Sequence, residues 1–239
     1  MASAVEIAEA VSYEGIPLLF VDTCSILDII RGAGSSKQMS VAETESALAI
    51  ARLATSTPPG CRVIRASVVE GEFNKHLQSA VNILDTEIKK VSASLNILDS
   101  LARATGLSPL TTRPDPFLSD PVKQLAQFII DNALICDSDQ DSRNAAHHRV
   151  SLARAPSKPG KESYKDCCLL EEYLAVMREV RSRNGNVPAV LITSNTADFC
   201  DEHRKVHPHI LSDASSLDLS VCINWQHARW ELLRSHPTS

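Results

Sequence analysis

Aromatic residues are scarce in this chain. Five Phe, three Tyr and two Trp make up 4% of its 239 residues, which argues against a platform that stacks nucleic-acid bases in succession. No apolar run approaches the roughly 18 residues needed to span a bilayer, so no membrane partner is expected. The N-terminus lacks the basic start and apolar block of a secretory signal, which predicts a cytoplasmic protein. Seven cysteines occur without a C-x-x-C pair or regular spacing. They read as reduced, mostly buried thiols rather than disulfides or a zinc site. There is no G-x-x-x-x-G-K-[ST] phosphate loop. A net charge of −5 excludes general coating of nucleic acid and leaves room only for local basic patches.

What is present is organised around Pro17 to Gly32. Leu18 to Val21 are four consecutive apolar residues, the pattern of a short strand buried on both faces in a parallel sheet. Asp22 follows at once, then Thr23 and Ser25 as capping residues, an apolar turn and Gly32 as a stop. Asp22 therefore belongs at the carboxyl end of a strand, the edge where α/β sheets collect ligands. It either caps the helix or presents its carboxylate there.

Residues 2–12 read as a short helix, 32–40 as a polar loop and 41–54 as a helix broken by Thr57-Pro58-Pro59-Gly60. Arg62 to Ala66 reads as a second strand. Ser67 and Glu70 have capping-box spacing, which gives Glu70 a structural explanation. Glu72 borders the buried stripe of Val68, Val69 and Phe73 and is the better candidate for chemistry. From about residue 74 to 104, Val81, Leu84, Ile88, Val91, Leu95, Leu98 and Ala102 recur at steps of three and four. This long stripe suits a helical arm, packed on a neighbouring helix of the same chain or on a partner, and a homodimer is worth testing. Residues 107–121 read as a loop, with Pro121 in the first turn of a helix whose face runs Val122, Leu125, Phe128, Ile129 and Ala133.

Asp131, Asp137, Asp139 and Asp141 then form an acidic cluster. After it, residues 143–165 carry six Arg and Lys against the single Glu162. The later part of this run, with Pro156 and Pro159-Gly160, reads as a basic loop. Lys161 and Lys165 could contact phosphate. Asp166 opens a helix through Leu169, Leu170, Tyr173, Leu174 and Met177, ending near Asn184-Gly185. Pro188 to Ile192 is another buried strand and leads into Thr193, Asn195 and Asp198. Strands are expected near Ile210 and over 219–223, and a helix over 225–233. His203, His207 and His209, with Pro208 extending the chain between them, match no zinc spacing and read as surface residues.

Four segments share one logic: a strand followed by Asp22-Thr-x-Ser25, Val68-Val-x-x-Glu72-Phe73, Lys165-Asp166-Cys167, and Leu191-Ile-Thr193-x-Asn195-x-x-Asp198-Phe199. In this order they resemble the PIN domain nucleases, and the last resembles the T-x-N-x-x-D-F of toxin-type PIN ribonucleases. The resemblance covers residues 16–75 and 160–225. It implies a single PIN-like α/β domain over 1–239, a three-layer sandwich with a central parallel sheet flanked by helices. The helical arm and basic loop of 78–158 would be an insertion. It also implies metal-dependent hydrolysis of RNA, single-stranded or structured, in a toxin, defence or RNA-processing role that leaves room for an inhibitor protein.

Four converging carboxylates repel each other unless a cation neutralises them, and Mg²⁺ or Mn²⁺ prefers such oxygen ligands. Asp22, Glu72 and Asp166 are then the metal ligands. Asp198 holds a second ion or orients the water, and Thr23, Ser25, Thr193 and Asn195 orient carboxylates or contact phosphate. The competing expectation is a PIN-like module that binds RNA or protein through its arm without cutting.

Overall fold

The computed structural model describes residues 2–32, 39–108, 112–161, 163–183 and 186–234. The predicted helix end at Asn184-Gly185, Glu162, and most of the loop after Gly32 lie outside the described residues. Five parallel strands form one sheet in the order β3-β2-β1-β4-β5. These are β1 (Leu18–Val21), β2 (Arg62–Ala66), β3 (Leu134–Cys136), β4 (Ala189–Ile192) and β5 (Leu219–Cys222). Helices flank the sheet in the manner of a three-layer sandwich: α1 (Ala4–Ser12), α6 (Gln140–Ser151) and α7 (Tyr164–Ser182) pack together. The second group is α2 (Thr23–Arg31), α3 (Val41–Thr55), α4 (Ser67–Ala104), α5 (Ser119–Asp131) and α10 (Trp225–Arg234). The short α8 (Thr196–Phe199) and α9 (Pro208–Ser215) join β4 to β5.

The strand order follows from burial. Every residue of β1 and β4 is buried, so these two continuously apolar strands take the centre of the sheet, covered on both faces. The chain winds outward from β1 to β2 and β3, then returns to the other side of β1 as β4. That reversal makes the β1/β4 junction the topological switch point, where a crevice opens beyond the carboxyl ends of the strands. Val21 lies opposite Ile192, so Asp22 and Thr193 emerge side by side.

Tyr173 fastens this end of the sheet from α7. Its hydroxyl donates to the Val21 carbonyl at 2.6 Å and accepts from the Ala66 amide at 2.9 Å. One buried phenol thus ties the last residues of β1 and β2 together, while its ring packs on Phe20 with centroids 5.0 Å apart.

Several expectations need correction. Ser67 and Glu70 form no capping box: β2 runs directly into α4, Ala66 is the cap, and no side chain caps the helix. Glu70 instead pairs with the buried guanidinium of Arg65 at 2.6 Å. The segment near Ile210 is helix α9, because Pro208 occupies its first turn and His207 caps it; Pro208 therefore starts a helix rather than extending the chain. Helix α5 begins at Ser119 and buries Ala126, Ile129 and Ile130, while Phe128 stays exposed.

The earlier part of the basic run, ahead of the predicted loop, is helical. Residues 140–151 form α6, and Arg149 on it is buried between Glu171 and Asp213, 2.6 Å from each. Arg154 joins the same network through Asp213 at 2.5 Å. Arg149 thereby ties α6 to α7 and α9, and Arg154 adds the loop after α6 to the same network. Segment 78–158 also contributes β3, an edge strand of the sheet.

Helix α4 runs for 38 residues, about 57 Å at the usual rise. Its first half buries Val69, Phe73, Val81, Leu84 and Ile88, whereas Val91, Ile97, Leu98 and Leu101 further along are exposed. The predicted packing within the chain therefore covers only half of the stripe. Near the tip, the buried Asp99 pairs with Arg113, and Gly106, at φ +76°, turns the chain away.

Candidate functional site

The four predicted carboxylates reach one place from four different elements. Asp22 follows β1, Glu72 lies in the second turn of α4, Asp166 in the first turn of α7, and Asp198 on α8 after β4. Asp22 is 4% exposed and Asp198 is equally buried. Asp22 sits at the N-cap of α2 but makes no capping hydrogen bond through its side chain. Its Oδ2 instead accepts from the Thr193 hydroxyl at 2.8 Å.

Burial pushes the Asp22 carboxyl up to about 7. The Thr193 hydroxyl and the nearby Cys24 amide pull it down, while the charges of Asp166 and Glu72 push it up. Burial likewise raises Asp166 to about 6, with Asp198 and Glu72 adding to the rise and Lys161 and Asn195 opposing it. Asp22 and Asp166 thus sense the carboxylates around them, as converging like charges must.

Asn195 spans two of them. Its Nδ2 donates to Asp198 Oδ2 at 3.1 Å and to Asp166 Oδ1 at 3.3 Å. Its backbone amide donates to the Thr193 hydroxyl at 3.1 Å, so one turn after β4 orients three of the four acids. Thr23 approaches Glu72 Oε2 and the Val69 carbonyl, both at 3.5 Å. Lys161 pairs with Asp198 at 2.5 Å and Lys165 with Glu72 at 3.2 Å. Lys158 reaches the Ala197 carbonyl on α8, so the segment before α7 is strapped across the acidic cluster.

Glu72 rather than Glu70 belongs to this group, because Glu70 is engaged by Arg65. No hydrogen bond among the described residues ties the Ser25 side chain to it. Its hydroxyl is buried without a hydrogen-bond partner and its carbonyl accepts from Trp225 Nε1 at 3.3 Å. One contributor escaped the sequence reading: Tyr173, a hydroxyl within an otherwise apolar helix face. Six of the seven cysteines are buried and all are free, and His203 and His209 lie exposed.

Among the described residues, no group of three or more His, Cys, Asp or Glu side chains is arranged to hold a metal ion. The oxygens of the acidic cluster are turned instead toward Thr193, Asn195, Lys161 and Lys165. No described helix is long and apolar enough to cross a membrane. No protein-family model, no curated protein and no solved structure matches this chain.

Proposed function

We propose that this protein is a metal-dependent endoribonuclease of the PIN type, hydrolysing RNA phosphodiester bonds at the acidic cluster. The observation that supports this reading most is the convergence of Asp22, Glu72, Asp166 and Asp198 at the β1/β4 switch point. A site that only binds RNA gains nothing from gathering carboxylates that repel both one another and phosphate. The all-oxygen donor set suits Mg²⁺ or Mn²⁺, which bind through a few carboxylates, waters and substrate phosphate. A bound ion of this kind supplies a water of lowered pKa and steadies the departing oxygen.

The remaining roles fall to the chain's own side chains. Asp22, Glu72 and Asp166 hold the cation, and Asp198 holds a second one or orients the attacking water. Thr193 and Asn195 fix the carboxylate rotamers. Lys161 and Lys165 stand where an RNA phosphate approaches the cluster.

Cleavage of a mixed-sequence RNA in Mn²⁺ or Mg²⁺, compared with Asp22→Asn, is the direct test. Metal-dependent cleavage that is lost in the variant supports the assignment. RNA binding without cleavage by either protein favours the second reading, a non-cutting RNA or protein binder. That reading draws on the exposed apolar residues Ile97, Leu98 and Leu101 along the arm.

A further inference from the structure

Two ammonium groups already occupy oxygens that a divalent ion would take. Lys161 Nζ lies 2.5 Å from Asp198 Oδ1, and Lys165 Nζ lies 3.2 Å from Glu72 Oε1. Lys161 is carried by the strap before α7 and Lys165 by the first turn of α7, and both have exposed side chains, 49% for Lys161 and 68% for Lys165. A flexible four-carbon stem can therefore swing its charge to a new partner within the same crevice. With all six groups ionised, four carboxylates against two ammonium groups leave a formal charge of −2, which one divalent cation neutralises.

We propose that Lys161 and Lys165 exchange partners: a divalent ion entering the cluster takes Asp198 and Glu72 from them, and the released ammonium groups then hold the phosphate of the RNA. This rests on the nuclease reading and adds a consequence that reading does not require. Metal and RNA become thermodynamically coupled through the two lysines. Without metal, the lysines are spent on carboxylates and RNA binds weakly. Once metal is bound, two cations turn to phosphate, each contributing a charge-assisted contact. Linkage makes the effect reciprocal, so RNA tightens the metal by the same factor. Lys158 provides an internal control. It sits on the same strap but donates to the Ala197 carbonyl rather than to a carboxylate.

The test measures Mn²⁺ affinity by calorimetry and RNA affinity by fluorescence anisotropy with a labelled 12-nucleotide RNA. Anisotropy is read at 4 °C with and without saturating Mn²⁺, and strand integrity is checked on a gel. The wild-type chain is compared with Lys161→Gln/Lys165→Gln and with Lys158→Gln. In the wild type, Mn²⁺ should raise RNA affinity by about tenfold or more, the size of an ordinary coupling. The double variant should bind Mn²⁺ alone about threefold or more tighter, because its competitors are gone, while coupling falls to within about twofold. Lys158→Gln should keep the wild-type Mn²⁺ affinity and coupling.

A double variant with unchanged Mn²⁺ affinity and wild-type coupling overturns the exchange. So does a Lys158→Gln variant that matches the double variant, because charge near the site would then explain everything. Failure of the wild type to bind Mn²⁺ at all overturns the metal reading itself, and the exchange with it.

Discussion

The Thr193 hydroxyl donates to Asp22 Oδ2 at 2.8 Å across the junction of the two central strands. The parallel register places Val21 opposite Ile192, so the residues that follow leave the sheet as neighbours. One side chain supplies the carboxylate and the other holds it in a single orientation. The pairing is a product of topology, since 171 positions separate the two in sequence.

Replacing Thr193 by Val keeps the shape of the side chain and removes the donor. The hydrogen bond lowers the Asp22 carboxyl from where burial would put it, so its loss moves that group further above about 7. A hydrogen bond to a charged group is worth about 1.5–3 kcal/mol, which corresponds to about one to two pH units. In a cleavage assay across pH, the acidic limb of Thr193→Val should move upward, by that amount at most, since a bound cation also favours the ionised carboxylate. An unmoved limb would remove Asp22 from the step that limits the rate.

Asn195 makes a separate prediction because its amide bridges Asp166 and Asp198. Asn195→Ala leaves the two carboxylates facing each other with one fewer donor between them. Cleavage should fall about 10- to 100-fold, the cost typical of losing a partner that orients a metal ligand. The thermal midpoint should change little. A variant that cleaves normally would separate Asp198 from the working site.

Tyr173→Phe tests what holds the site's floor. The substitution strands the Val21 carbonyl and the Ala66 amide, both buried by a side chain that is itself fully enclosed. Leaving such groups unpaired costs about 1–3 kcal/mol each, and urea denaturation should show a loss of at least the lower figure. Wild-type stability in the variant would mean that other donors take over at both strand ends.

Much of the architecture was readable from the residues themselves, for reasons that differ by element. Leu18 to Val21 and Ala189 to Ile192 are buried on both faces, so their composition is uniform and each carries a carboxylate or hydroxyl just past its end. Strand β3 has three residues, two of them only half-buried, too short for any periodicity to reveal. Helix α6 was hidden for another reason: most of its residues are polar, and the buried Arg149 reads as surface charge until Glu171 and Asp213 are seen beside it. The four acids were legible as residues that follow strands or open helices. That Asn195 bridges two of them, and that two lysines cover two of them, depends on contacts between distant segments that spacing does not encode.

The last prediction concerns pH and a carboxylate outside the cluster. Glu172 is 1% exposed. Burial pushes it up to about 7, with Asp137 and Asp139 adding to the rise while Ser138 and the Ser67 amide oppose it. Asp22 and Asp166 are raised as well, to about 7 and about 6. A carboxyl whose folded pKa lies above its unfolded value near 4 holds its proton more tightly when folded. Stability is therefore greatest below about pH 4 for that group and declines as pH rises to about 7, beyond which it is flat. Added over three such groups, the metal-free protein should melt several degrees lower at pH 8 than at pH 5.5. Glu172→Gln mimics the protonated form at all pH values. It should therefore raise the midpoint at pH 8, by about 1–3 kcal/mol of stability, and leave it nearly unchanged at pH 4. Mn²⁺ bound at Asp22 and Asp166, as proposed above, should in both proteins reduce the remaining slope without abolishing the difference between them. A Glu172→Gln variant destabilised equally at both pH values would show that this carboxylate is ionised and paired in the folded chain.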